Sequence, residues 1–175
     1  EEVSEIRKTY NIPLDKIVIV YTGALIPNKG IKLLLDAVPL VCDKNKQAHF
    51  VIAGFPVDQI ADYVKQKIFA ERTTIISPLS YFDLPKILKM SDMGVDPKQS
   101  EVRQASGKML QYMGAGLPVV CFDTLNNREY LGEGGTYARE TTPQGLAEAI
   151  GELINSSELR KARGAINRSR AEMFS

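Results

Sequence analysis

The sequence predicts an α/β domain, a doubly wound and mainly parallel sheet of about six strands with helices on its faces. Two observations carry this expectation. Short β-branched runs alternate along the chain with longer stretches whose apolar residues follow the helical period. The first strand is also apolar without interruption, as a strand covered on both faces has to be. A third observation points to one domain: 175 residues with 44% hydrophobic and 25% charged positions suit one core, and no repeat, low-complexity tract or linker divides them.

The first strand is Ile17 to Tyr21, running into the loop Thr22-Gly23-Ala24-Leu25-Ile26-Pro27-Asn28-Lys29-Gly30. Ile31, Leu34, Leu35, Val38 and Val41 then share one helix face, with Pro39 expected to kink that helix or end it early. His49 to Ala53 is the second strand, stopping at Gly54, and Ile60, Val64 and Ile68 mark one helix behind it. The third strand, Thr73 to Ile76, ends at Ser77-Pro78, and Leu84, Ile87 and Leu88 give a short helix. Met93 to Pro97 is a weaker fourth strand. A polar loop from Lys98 to Gln104 leads to a helix from about Ser106 to Ala115, with Met109, Leu110 and Met113 as its apolar side. Gly116-Leu117-Pro118 turns into the strand Val119 to Phe122, and a short strand from Gly134 to Ala138 precedes two last helices. One carries Leu146, Ile150, Leu153 and Ile154, the other Leu159, Ala162, Ile166 and Met173. In a Rossmann-like sheet of this kind, ligands sit beyond the carboxyl ends of the strands where the strand order reverses, so the loops after the strands are the places to inspect.

Composition narrows the chemistry. Lysine plus arginine is 22 and aspartate plus glutamate is 21, a formal charge of +1, so no basic field exists to hold a nucleic acid. Cys42 and Cys121 lie in apolar stretches, which disfavours a disulfide scaffold and points to a reducing, cytoplasmic setting. His49 is the one histidine, which removes histidine-based metal centres and leaves a single imidazole for any triad. It opens a strand and is read as structural. No window approaches a membrane span of roughly 18 apolar residues. The chain opens on Glu1-Glu2 without an initiator methionine, and the helical pattern of Ser157 to Ser175 runs to the last residue, so residues 1–175 are expected to be one domain of a longer chain.

Two places are suited to an anion. The loop Gly23 to Gly30 puts two glycines, a proline and Lys29 at a helix start, where free N–H groups and the dipole favour phosphate; the competing reading is a tight turn with a solvated lysine. It is not a Walker A loop. The second place is Ser106-Gly107-Lys108, where serine caps a helix, glycine admits a ligand to the backbone, and Lys108 sits in a first turn that disfavours positive charge.

Several segments resemble the C-terminal domain of family 4 retaining glycosyltransferases of the GT-B fold. Tyr21 to Ala37 is similar to that family's G-R-L-x-x-x-K-G-x-x-x-L-L-x-A opening, Val51-Ile52-Ala53-Gly54 to its I-V-G strand end, and Asp83 to Pro97 to its D-L-P-x-L-Y-x-x-A-D stretch. Lys108 to Val120 resembles the family's K-L-x-E-Y-M-A-x-G-x-P-V-V helix and strand, and Asn127 to Leu131 its x-R-E-x-L. The resemblance runs from about Ile6 to Met173. It implies a domain that binds a nucleoside-diphosphate sugar without a metal or other cofactor, partnered by an acceptor domain lying upstream. Lys29 matches the family's lysine on the departing diphosphate, Gly107 and Lys108 its phosphate-side helix start with Ser106 before them, and Gly23 and Ala24 its first loop. The backbone from Ser77 to Leu79 matches the loop along the nucleobase, and Glu129 matches a carboxylate facing the donor at the start of a short helix.

Three positions depart from the pattern. Ala24 stands where the family has an arginine, and the E-x7-E pair falls on Arg103 and Gln111. Gln111 keeps an acceptor for ribose without the charge. Arg103 either turns its guanidinium to the diphosphate, a catalytic role beside Lys29, or points to solvent; Glu101 is a further stand-in for the lost carboxylate. Arg160, Lys161, Arg163, Arg168 and Arg170 make the last helix basic, which reads as a solvated face, with contact to a membrane surface at the inner face or to a partner domain second. The leading expectation is the donor-binding domain of a hexosyltransferase acting on a glycan or lipid-linked glycan, inactive in isolation. A degenerate, non-catalytic binding module is the alternative, and a nucleotide-sugar epimerase the third.

Overall fold

The computed structural model describes residues 1–99 and 107–174. Arg103, Ser106 and Glu101 lie outside the described residues. The sheet has six strands, β1 (Ile17–Thr22), β2 (Ala48–Ala53), β3 (Thr73–Ile76), β4 (Met93–Asp96), β5 (Val119–Phe122) and β6 (Gly135–Ala138), in the order β3-β2-β1-β4-β5-β6, with every pairing parallel. This is the doubly wound order, whose reversal falls between β1 and β4.

The helices are α1 (Glu2–Thr9), α2 (Ile31–Lys44), α3 (Ala61–Val64), α4 (Lys67–Arg72), α5 (Leu84–Lys89), α6 (Gly107–Gly114), α7 (Leu125–Leu131), α8 (Pro143–Ile154) and α9 (Ser157–Ala171). They form two layers. Ile19 and Tyr21 of β1 pack with Leu34, Val38 and Val41 of α2 and Ile150 and Leu153 of α8. Val18 and Val20 pack on the other face with Ile87 of α5, Met109 and Met113 of α6 and Ile6 of α1. The alternation of strand side chains thus sorts neighbouring residues of one apolar run into two separate cores.

Four expectations about the helices change. Pro39 lies inside α2, which neither stops nor shortens there. The missing N–H costs that helix one hydrogen bond, and burial of Leu34, Leu35, Val38, Val41 and Cys42 on either side of the proline outweighs it. The single helix expected across Ile60, Val64 and Ile68 is a 3-10 turn (Asp58–Ile60) and two short helices, of which only Ile60 and Phe69 are fully buried. The final helical pattern divides into α9 and a 3-10 turn over Glu172–Phe174. The chain also begins with a helix the apolar pattern did not disclose. Arg7 of α1 is 7% exposed; its guanidinium donates to the carbonyls of Met90, Leu14 and Lys16 and pairs with Asp92 at 3.0 Å. Asp92 in turn accepts from the Val18 amide at 2.8 Å, so one arginine ties α1 to the amino ends of β1 and β4.

The basic helix α9 is largely structural rather than a solvated face. Arg160 caps α8 by donating to Leu153 and Ile154 at 2.7 and 2.9 Å, Arg163 reaches the Thr136 hydroxyl at 2.7 Å, and Arg170 donates to Tyr130 and Glu129 at 2.8 Å. Lys161 and Arg168 remain exposed. His49 is buried and hydrogen-bonded to the Thr74 hydroxyl at 2.8 Å, and burial holds its pKa down to about 4, as befits a structural imidazole. Cys42 and Cys121 are buried, and burial pushes both thiols up. Among the described residues, no helix is long and apolar enough to cross a membrane.

Candidate donor-binding site

The reversal of strand order opens the sheet. β1 pairs with β2 over six positions and with β4 over two, Ile19 with Met93 and Val20 with Gly94. Beyond these two positions β1 and β4 no longer pair with each other, and Tyr112 of α6 bridges the gap. Its hydroxyl accepts from the Thr22 amide at 3.0 Å and donates toward the carbonyls of Val95 at 3.1 Å and Val20 at 3.4 Å. Tyr112 is fully buried, and burial raises its phenol far above the ordinary value, so it remains a neutral donor and acceptor. One side chain thereby fixes α6 to the carboxyl end of the β1–β4 crevice.

The loop after β1 lies across this crevice and is held on both sides. Gly23 donates to Ala53 at 3.0 Å and Leu25 to Phe55 at 3.0 Å, which ties it to the loop after β2. On the other side Gly30 has φ of 76°, and a β-carbon there would lie 2.0 Å from the Pro97 carbonyl oxygen, so only glycine permits the approach to the end of β4. Lys29 closes the intervening 3-10 turn (Pro27–Lys29), half-buried, at the entrance to α2.

Lys108 enters from α6, whose Met109 and Met113 belong to the opposite core layer. Its Nζ lies 3.9 Å from the centroid of the Tyr21 ring. A β-carbon at Gly23 would be 3.1 Å from Nζ, so the ammonium rests against the loop backbone. Burial lowers the Lys108 pKa to about 8; Asp96 opposes this, and Lys29 and Lys98 reinforce it. Asp96, 6% exposed at the end of β4, accepts from the Lys98 amide at 3.3 Å. Lys29 from the loop after β1, Lys98 after β4 and Lys108 from the first turn of α6 therefore gather near the Asp96 carboxylate where the sheet splits. Such a site suits a compact polyanion, whose charge would offset the mutual repulsion of the lysines.

The structure gathers Gly23, Ala24, Lys29, Gly107 and Lys108 from the expected residues. Ala24 contributes its carbonyl, which accepts from the Tyr21 hydroxyl at 2.6 Å. Leu79 follows β3 at the same end of the sheet and packs, partly buried, on the second core layer. Gln111 is exposed one turn beyond Lys108 and lines a separate groove of about 830 Å³ between α5, α6 and α9, with Leu84, Leu88, Leu117 and Arg168. Glu129 does not begin its helix: α7 starts four residues earlier, capped by the Thr124 hydroxyl on the Asn127 amide at 3.1 Å, and Glu129 is exposed in its later turn. Tyr21, Tyr112, Asp96 and Lys98 are the site residues that sequence reasoning missed. The signal for Tyr21 was its position as last apolar residue of a strand before a glycine loop, and for Asp96 the carboxylate closing a strand before proline.

Comparison with known proteins finds relatives of this chain in sequence and in fold. Spore coat protein SA of Bacillus subtilis is 29% identical over 168 residues, spanning 90% of this chain and 44% of that protein. Alpha-D-kanosaminyltransferase of Streptomyces kanamyceticus is 24% identical over 163 residues, spanning 90% of this chain and 41% of its own length. The chain thus covers less than half of these curated relatives. Anabaena Alr3699/HepE, solved in complex with UDP, superposes with a TM-score of 0.83 at 18% identity over 98% of this chain and 48% of that one. TarM of S. aureus, solved with UDP among its ligands, gives 0.79 at 22% identity over 93% and 34%. These superpositions show the same Rossmann-like α/β fold. Residues 2–170 match the family model for glycosyl transferases group 1. With nearly the whole chain matched, it belongs to the glycosyl transferases group 1 family.

Proposed function

We propose that this domain binds the nucleoside-diphosphate sugar donor of a glycosyltransferase and that its diphosphate lies between Lys29, Lys108 and the amino end of α6. The carrying observation is that the Lys108 ammonium, in the first turn of α6, lies against the Gly23 backbone and the Tyr21 ring at the β1–β4 opening, with Lys29 at the end of the same β1 loop, held by Gly30 and Tyr112. HepE, a structural neighbour, has been solved with UDP and with UDP-glucose, which supports the same ligand class here.

In this reading the first loop and the start of α6 neutralise the negative charge that grows on the departing diphosphate as the sugar–oxygen bond breaks. Lys29 and, from outside the described residues, Arg103 are the proposed catalytic cations, Gly107 presents the helix start, Ser106 before it also lies outside the described residues, and Leu79 is the proposed contact to the base. Gln111 and Glu129, both exposed, are further proposed contacts to the donor. The chain's own cations take the part a divalent ion plays in other transferases, so EDTA is expected to leave binding unchanged within about twofold. The acceptor, a glycan or lipid-linked glycan, would meet the donor on an upstream domain, with any membrane attachment of the longer protein lying outside this domain.

Calorimetric titration with UDP, GDP and their sugar derivatives tests the reading. Saturable binding that weakens at least tenfold in Lys29→Ala, the loss of one charge-assisted contact, is the expected result. No heat with any of them from a folded protein would contradict it. A second reading, a non-catalytic binding module, is favoured by the uncharged Ala24 and by the outward-facing Gln111. Transfer by the longer protein, abolished by Lys29→Ala, excludes that second reading.

A further inference from the structure

The first loop brings a single cation of its own, Lys29, and Ala24 beside it is uncharged. The second cation comes from another element and another layer of the domain. Lys108 leaves α6, crosses the end of the sheet through the β1–β4 opening, and stops over the ring of Tyr21, whose body lies in the α2–α8 layer. Without a fixed surface to rest on, a side chain with four rotatable bonds would spread over many positions and pay the ordering cost on binding. The ring supplies that surface.

Tyr21 has two holds on the site. Its face carries the ammonium at 3.9 Å, close enough for a cation–π contact, and its hydroxyl donates to the Ala24 carbonyl at 2.6 Å. At 1% exposure the ring has little room to turn. Among the described residues, the groups around Lys108 include Tyr21 from β1, Gly23 and Lys29 from the following loop, and Asp96 and Lys98 from the end of β4, with Asp96 the carboxylate among them and the Tyr21 ring the apolar platform.

We propose that Tyr21 is a positioning residue for the donor: its ring holds the Lys108 ammonium against the backbone of Gly23 while its hydroxyl holds the Ala24 carbonyl, so that α6 supplies the cation that the β1 loop lacks. This rests on the donor-binding reading above. Lys108 touches the ligand, and Tyr21 acts through it and through the loop.

A double-mutant cycle with Tyr21→Leu, Tyr21→Phe and Lys108→Met, read by titration with UDP, GDP and pyrophosphate, tests the proposal. Tyr21→Leu is expected to weaken binding about tenfold, and Tyr21→Phe, which keeps the ring and loses the tether, about two- to threefold. In the Lys108→Met background, Tyr21→Leu is expected to add less than threefold further loss, because the remaining effect is the tether alone. Full additivity overturns the proposal, as does equal loss in the phenylalanine and leucine variants. A second measurement needs no ligand. The Lys108 side-chain methylene protons next to nitrogen are expected to resonate upfield in the wild type and in Tyr21→Phe, from the ring current, and at ordinary positions where Tyr21 is leucine. Ordinary positions in the wild type overturn the positioning role even if nucleotide binds. Failure of the wild type to bind any of the three probes overturns the donor-binding reading and this proposal with it, whereas binding with an intact cycle coupling upholds both.

Discussion

Lys108 is placed where folding alone disfavours it. It stands in the first turn of a helix, against the dipole, and in a poorly hydrated opening with Lys29 and Lys98 nearby. Its pKa of about 8 records that cost. A bound diphosphate favours the charged form and raises the value, so binding takes up a proton once the free lysine has lost it. Affinity is therefore expected to be level below about pH 7 and to fall about tenfold per unit above pH 8, and calorimetry in buffers of different ionisation enthalpy reads the proton directly. Stability moves the other way. The unfolded chain keeps this proton to the ordinary lysine value of 10.5 and the folded chain releases it near 8, so the unfolded state holds more protons between them and the group's contribution to stability rises with pH. Lys108→Met is expected to raise stability at pH 7 by about 1–2 kcal/mol, to remove that rise, and to weaken nucleotide binding about tenfold or more, the trade expected where a site stores charge against folding. Lys108 was legible as a misplaced charge in the sequence. Tyr21 was not, because an aromatic residue at the end of an apolar strand reads as core, and it is core on one face.

At the scale of elements, the strands were legible because continuous runs such as Ile17 to Tyr21 have few other uses. The helices were less so where side chains other than apolar ones hold them. α1 carries few apolar residues among its charges, and what anchors it is Arg7, a side chain that sequence patterns assign to solvent. Truncating Arg7 to alanine leaves three backbone carbonyls and Asp92 without their partner. The expected cost is about 3 kcal/mol in denaturant unfolding, with α1 amides losing hydrogen-exchange protection before the sheet does. Unchanged protection in α1 would mean that Val3 and Ile6 suffice to dock it. Glu129 shows the opposite limit. A carboxylate was read as a helix start, but Thr124 supplies the cap and the helix begins at Leu125. The arginines of α9 likewise look like a charged surface stripe in sequence, and their work is to cap α8 and α7 and to reach β6.

At the scale of the whole molecule, strand order is what makes a site out of ordinary loops. The motif order placed the first loop and the α6 start as candidates, but their meeting depends on β4 lying beside β1 and parting from it after two residue pairs. No local spacing contains that information. The same topology puts the loops after β1, β2 and β4 at one end of the sheet and the groove containing Gln111 along the helices to one side, which separates two positions that sequence alone had joined. The proposed function requires the β1–β4 opening to bind a nucleoside diphosphate through Lys29 and Lys108. The most direct measurement is titration of the wild-type chain, Lys29→Ala and Lys108→Met with UDP and GDP at pH 7, each variant first shown to be folded. Saturable binding to the wild type that weakens tenfold or more in both variants is the predicted result. No binding, or binding that neither substitution disturbs, would contradict it.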